Sequence, residues 1–172
     1  VDLVAMQIAV ADGEPVPDPD APLNPIGWAI ECRINGEDPF NNFAPSVGLI
    51  DFLDVPAGPG VRFDTMLFEG LDVPVFYDSL LGKLIVWAET RERAVERMKR
   101  ALRDLIISGP QTNVPFHLAL LDHPDFQSGD FATNWLEQHF TMPQPAEDDT
   151  RLEQALIAGA VAANLIGGAV SS

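Results

Sequence analysis

The chain has 172 residues, enough for one globular domain with short appendages, and a chain of this size buries roughly 70% of its unfolded surface. Its 10 Lys and Arg against 26 Asp and Glu give a formal net charge of −16, which repels phosphate backbones and anionic lipid and argues against nucleic acid and membrane surfaces as partners. The hydrophobic fraction of 47% is ordinary and predicts a soluble globular protein.

The segment "VDLVAMQIAVADG" at residues 1–13 predicts a helix that ends at Gly13. It has neither the basic start nor the cleavage site of a signal peptide, and no initiator Met. We therefore expect the chain to begin in the middle of a larger protein. Residues 12–25 follow with five prolines and four acidic residues, a composition that predicts an exposed loop.

The next segment, "GWAIECRIN", alternates apolar and polar side chains and predicts a strand from about Trp28 to Ile34. Since side chains on a strand alternate between its two faces, one face carries the apolar residues Trp28, Ile30, Cys32 and Ile34. The other face carries Glu31, Arg33 and Asn35. This pattern alone also fits an ordinary half-exposed strand in which Glu31 and Arg33 neutralise each other.

Cys32 is the only cysteine, so an intrachain disulfide is impossible and a cytoplasmic location is the default expectation. No spacing of Cys32 with the three histidines is typical of a metal site, and none is predicted.

Further strands are predicted from short apolar or alternating runs that Gly and Pro separate: "LIDFLDV", "GVRFDT", "VPVFYDS" and "KLIVWAE". A long amphipathic helix is predicted from about Arg91 to Ile107, with Thr90 as its cap and Gly109-Pro110 as its stop. Two shorter helices are expected in "TNVPFHLALLDHP", capped by Thr112 or Asn113, and in "ATNWLEQHF". Strands first and helices afterwards, without βαβ alternation, predict an α+β fold built on an antiparallel sheet.

The end of the chain has a different composition. Residues 142–150 read as a linker, and residues 151–172 as the truncated first helix of a following module. The uncharged run from Ala155 to Val170 has 16 residues, which is too short for a membrane span of about 20.

Several of these motifs, in this order, resemble the C-terminal domain of biotin carboxylase, the ATP-grasp component of biotin-dependent carboxylases. They are "ECRINGEDP", "FAPSVG", "GVRFDT", "VPVFYDSLLGKL", "RERAVERMKRAL" and "GPQTNV", and the resemblance runs from about Val1 to Phe140. It implies a domain at residues 1–141 and an enzyme that carboxylates biotin with ATP and bicarbonate. The implied partners are a biotin carboxyl carrier domain, a carboxyltransferase subunit and a second copy of the subunit.

The resemblance also assigns roles to individual residues. Arg33 matches the family's biotin-site arginine, and Glu31 and Asn35 on the same strand face are expected to orient it. Thr133 and Asn134 fall where the family closes over the adenine ring, and Arg62 and Asp78 match positions near the subunit contact. Gly36 stands where the family commonly has Ala.

The family's segments that hold metal, phosphate and bicarbonate lie upstream of this sequence. The resemblance therefore implies a fragment that is inactive alone, with Mg²⁺ held by the missing N-terminal part. Two alternatives remain open: a non-catalytic scaffold for dimerisation and docking, and an unrelated module that binds small molecules. The acceptor is expected to be an acyl-CoA, as in fatty acid metabolism, although pyruvate and urea carboxylases fit as well.

Overall fold

The computed structural model describes residues 2–16, 24–74 and 78–144. The helices are α1 (Leu3–Ala11), α2 (Arg91–Asp104), α3 (Val114–Asp122), α4 (Pro124–Ser128) and α5 (Trp135–His139). The strands are β1 (Trp28–Asn35), β2 (Glu37–Asp38), β3 (Ala44–Pro45), β4 (Gly48–Leu49), β5 (Phe52–Asp54), β6 (Val61–Thr65), β7 (Asp72–Val73), β8 (Leu80–Ala88) and β9 (Ile106–Ser108).

The main sheet has three antiparallel strands in the order β1-β8-β6. The remaining strands form three small antiparallel pairs: β2 with β3, β4 with β7, and β5 with β9. This arrangement agrees with the predicted α+β class, and the predicted strand at residues 28–34 is confirmed with one additional residue.

The core lies between the inner face of the main sheet and α2. Cys32 and Ile34 of β1 are buried, as the alternation predicts, and Trp28 at the open end of the same face stays half exposed. The apolar stripe of α2 packs against them through Val95, Met98 and Leu102. Thr90 caps α2 as predicted, because its side chain accepts a hydrogen bond from the Arg93 amide.

The predicted end of the long helix is wrong. The helix stops at Asp104, and Leu105 is already extended. Ile106–Ser108 pairs with β5 instead of continuing the helix. The β-branched pair Ile106 and Ile107 favours this strand, because β-branched side chains pack well on a pleated surface.

Helix α3 is docked onto α2 by an ion pair in which Lys99 Nζ lies 2.6 Å from Asp122 Oδ1. The hydrogen bond that Lys99 donates to the Asp122 carboxylate is the main reason that the pKa of Lys99 is raised. This contact fixes α3 beside the edge of the sheet at β1. The short helix α4 follows directly and was not predicted, whereas the expected helix in "ATNWLEQHF" is present as α5.

Several predictions fall outside the described residues. These are part of the loop at residues 17–23, residues 75–77 of the run "VPVFYDS", and the linker and final helix from residue 145 onward. Among the described helices, none has the length and apolarity needed to cross a membrane.

Candidate functional site

The register of the main sheet brings the polar residues of three strands onto its outer face. Arg33 of β1 lies opposite Lys83 of β8, which in turn lies opposite Asp64 of β6. Directly opposed residues of antiparallel strands point to the same face. The adjacent row on that face consists of Glu31, Ile85 and Arg62. We call these six residues the outer-face cluster.

Arg33 is exposed on this face, while the residues on either side of it, Cys32 and Ile34, are buried. Within the described ranges, no ion pair joins Arg33 to Glu31. The mutual neutralisation that an ordinary strand would show is therefore not formed. Arg33 instead faces Lys83 across the strands, and Asp64 stands on the other side of Lys83 in the same row.

The backbone of Arg33 is held from the side opposite β8. Asn113 Nδ2 donates to the Arg33 carbonyl oxygen at 3.0 Å, and His117 Nε2 lies 2.9 Å from the same oxygen. A carbonyl oxygen can only accept, so His117 must carry its proton on Nε2. Burial lowers the pKa of His117 from its ordinary value of 6.5, which keeps the ring neutral at pH 7.

Asn35 ends β1 and belongs to a second polar network. Its Nδ2 donates to Glu37 Oε1 at 3.3 Å, and the Ser79 hydroxyl donates to the same carboxylate oxygen at 2.5 Å. Asn35 Oδ1 is buried and has no hydrogen-bond partner among the described residues. The side chain of Asn35 therefore bonds towards Glu37 and not towards Arg33, and its orienting role remains a prediction, as does that of Glu31.

Gly36 lies at the start of the same turn, and its neighbours leave no room for a side chain. A Cβ there would lie 2.6 Å from the Ser46 carbonyl oxygen. The close approach of the segment around Ser46 therefore favours glycine at this position.

The thiol of Cys32 has no place in the chemistry of this site. Burial, and secondly the charge of Glu31, raises its pKa to about 12. A thiol in that state does not form the thiolate that nucleophilic attack requires.

The two residues predicted at a subunit contact are both exposed. Arg62 lies in the outer-face cluster and forms an ion pair with Asp64 at 2.9 Å. Asp78 Oδ1 accepts a hydrogen bond from the Leu80 amide at the start of β8, and it is not in that cluster. Their interface role stays a prediction.

Thr133 and Asn134 form an exposed turn immediately before α5. Asn134 lines a shallow depression of about 420 Å³ together with residues that flank the same helix. Their assignment to an adenine pocket also remains a prediction.

Three residues of this region were not identified as site residues from the sequence: Lys83, Asn113 and His117. The register of β1 and β8 places Lys83 opposite Arg33, and the sequence does not reveal that register. Asn113 was predicted, as an alternative to Thr112, to cap a helix, and His117 was considered only as one of three histidines without metal-site spacing. Among the described residues, no group of three or more His, Cys, Asp or Glu side chains is arranged to hold a metal ion.

Comparison with known proteins gives the family. The sequence model of the biotin carboxylase C-terminal domain matches residues 31–138. Biotin carboxylase 1 of Bacillus subtilis is 45% identical over 141 residues, which are 82% of this chain and 31% of that protein. A chloroplastic biotin carboxylase of Arabidopsis thaliana is 48% identical over 139 residues, which are 81% of this chain and 26% of that protein.

A solved structure of the biotin carboxylase domain dimer of Hydrogenobacter thermophilus 2-oxoglutarate carboxylase, in complex with MgADP, ADP and bicarbonate, superimposes with a TM-score of 0.73 at 42% identity. The match covers 86% of this chain and 32% of that one. The chain thus spans about a third or less of the length of these relatives. The resemblance seen in the motif order is confirmed together with the α+β class, and the alternative of an unrelated small-molecule module is wrong.

Proposed function

The chain belongs to the biotin carboxylase C-terminal domain family, and we propose that it forms the C-terminal domain of an enzyme that carboxylates biotin with ATP and bicarbonate. The observation that carries this proposal is the exposed Arg33 on the outer sheet face, without an ion-pair partner in Glu31 and opposite a second cation, Lys83. An arginine in this state is available to a substrate anion.

The chemistry proposed for Arg33 is electrostatic. When the ureido nitrogen of biotin loses its proton and attacks CO2, negative charge develops on the ureido oxygen. A guanidinium directed at that oxygen stabilises the charge, and because it is always protonated, no free energy is spent on acquiring a proton. Lys83, opposite Arg33 on the neighbouring strand, adds a second positive charge to this face, and Asp64 opposite Lys83 offsets part of it.

ATP and Mg²⁺ are proposed to be bound mainly by the N-terminal part of the enzyme, for which this chain has no counterpart. Thr133 and Asn134 are the residues we propose next to the adenine ring. The chain alone is therefore expected to be inactive.

The proposed partners are a biotin carboxyl carrier domain, a carboxyltransferase subunit and a second copy of the enzyme. The Hydrogenobacter thermophilus relative is described as a dimer, which supports the last of these. An acyl-CoA is the proposed acceptor, on the sequence argument that a linker and a further helix follow the domain. The single cysteine cannot form an intrachain disulfide, and on this ground we propose a cytoplasmic location.

The test is a chimera in which this chain replaces the matching C-terminal segment of Bacillus subtilis biotin carboxylase 1. Free biotin, ATP and bicarbonate serve as substrates, and carboxybiotin formation is measured. We expect activity from the chimera and none from the 172-residue chain or the N-terminal part alone. A folded chimera that hydrolyses ATP but forms no carboxybiotin would favour the alternative of a non-catalytic scaffold.

A further inference from the structure

The residue immediately before α3, Asn113, pairs with the edge of β1 as a neighbouring strand would. Its Nδ2 donates to the Arg33 carbonyl at 3.0 Å, and its Oδ1 accepts from the Asn35 amide at 2.9 Å. Its own backbone amide donates to the Asn35 carbonyl at 3.1 Å. A side-chain amide carries a donor and an acceptor like a peptide group, so a single residue supplies three ladder-like bonds.

This edge of the sheet needs such a partner. Among the described strands, β1 pairs only with β8, and the opposite side of β1 is therefore open. The register with β8 also shifts between Ile34 and Asn35, directly after Arg33. An irregular ladder at an unpaired edge leaves unsatisfied backbone groups and a backbone that is free to move. The bonds from Asn113 and His117 satisfy these groups at the residue that carries the guanidinium.

Because its side chain bonds to β1, Asn113 does not cap helix α3. Asn113 occupies the N-cap position of α3, where an asparagine side chain ordinarily accepts a hydrogen bond from the first turn, but no such bond is formed. With 5% exposure, Asn113 is also the one buried polar or charged side chain among the described residues. The side chain of Asn113 makes no capping bond, and both of its hydrogen bonds go to β1. Its burial therefore stabilises the strand and not the start of the helix.

We propose that Asn113 is a positioning residue for Arg33, and that it fixes the backbone from which the guanidinium reaches the substrate. The inference rests on the proposed function, because the direction of the Arg33 guanidinium affects the carboxylation rate only if Arg33 acts on biotin. Asn113 itself does not touch the substrate. Its effect passes through the backbone at Arg33 and Asn35, and His117 reinforces it at the Arg33 carbonyl.

The test is a double-mutant cycle in the chimera, with carboxybiotin formation as the measured rate. Asn113→Ala should lower kcat about 10- to 100-fold, since a displacement of about 1 Å can cost a factor of that order. In the Arg33→Ala background the same change should cost little more, because the group that Asn113 positions is already gone. Asn113→Asp should not rescue the rate, because a carboxylate has no proton to donate to the Arg33 carbonyl.

Gln127→Ala is the matched control. Gln127 Nε2 also donates to backbone carbonyls, those of Leu121 and Asp122 at the opposite end of α3. Its loss should loosen the same helix and leave the rate unchanged. Hydrogen exchange of the 172-residue chain supplies a readout independent of activity, since the Asn35 amide should lose protection in Asn113→Ala and keep it in Gln127→Ala.

Two outcomes overturn the inference. One is a full carboxylation rate in Asn113→Ala, and the other is an equal further loss from Asn113→Ala in both the Arg33 and the Arg33→Ala backgrounds. A failure of the proposed function looks different, because Arg33→Ala alone would then keep its full rate while the Asn35 amide still lost protection in Asn113→Ala.

Discussion

Gly109 and Gly58 adopt similar backbone conformations, with φ of +125° and +121°, in very different surroundings. A Cβ at Gly109 would overlap the Leu49 carbonyl oxygen, whereas nothing lies within 4 Å of one at Gly58. The two positions therefore separate the cost of the conformation from the cost of steric overlap.

We predict that Gly58→Ala lowers the free energy of unfolding by about 1 to 3 kcal/mol, the usual cost of a conformation that only glycine adopts easily. Gly109→Ala should lose about 2 kcal/mol more, because the backbone of Leu49 must also move. Urea denaturation of the three proteins measures both losses. Equal losses would mean that β4 does not pass this close to Gly109.

At the scale of the element, Ile106 and Ile107 distinguish the strand β9 from the helix that the sequence predicts. Ile107 packs against the core between the main sheet and α2 and against a second buried cluster, whereas Ile106 is 47% exposed. The second cluster consists of Ile50, Leu67, Val73 and Leu81. We predict that Ile107→Ala lowers the free energy of unfolding by about 2 kcal/mol or more, and that Ile106→Ala costs less than half of this. Denaturant unfolding of the pair provides the measurement. A larger loss at Ile106 would favour the continuous helical stripe.

Strand β1 could be predicted from the sequence, but the end of α2 and the bonding of Asn113 could not. The alternation in "WAIECRIN" was sufficient to predict β1, its buried Cys32 and Ile34, and an exposed Arg33. The same reasoning extended α2 to about Ile107, because Leu105 and Ile106 happen to continue the apolar period of the helix that ends at Asp104. It also named Thr112 or Asn113 as the cap of α3. It could not show that the side chain of Asn113 bonds to β1 instead, because these partners lie 78 to 80 residues away and no local pattern reveals such contacts.

At the scale of the whole molecule, the outer-face cluster includes Arg62, which we propose at the contact between two subunits. In the chimera, Arg62→Glu should weaken self-association. A two-fold contact uses the same surface on both subunits, so the substitution replaces a positive charge by a negative one on each side of the contact. Stability should change little, since the Arg62–Asp64 pair is exposed on both sides, at 68% and 50%. Sedimentation velocity and circular dichroism test the two statements, and Asp78→Arg is expected to act in the same way.

Arg93→Glu is the control for this prediction. Arg93 is 70% exposed and also forms an ion pair, with Glu89 at 3.3 Å, but it lies on α2 and not on the sheet. Its reversal should leave the dimer intact. If Arg93→Glu and Arg62→Glu dissociate the dimer equally, the effect comes from net charge and not from the sheet face.

The central claim is that Arg33 stabilises the charge that develops on biotin, and it is tested by two rates in one chimera. Arg33→Ala should lower carboxybiotin formation about 10²- to 10³-fold, the usual effect of removing one donor to a developing oxyanion. Bicarbonate-dependent ATP cleavage, which precedes the attack by biotin, should fall much less, and Arg33→Lys should recover carboxylation only in part. An Arg33→Ala chimera that forms carboxybiotin at the full rate would contradict the account.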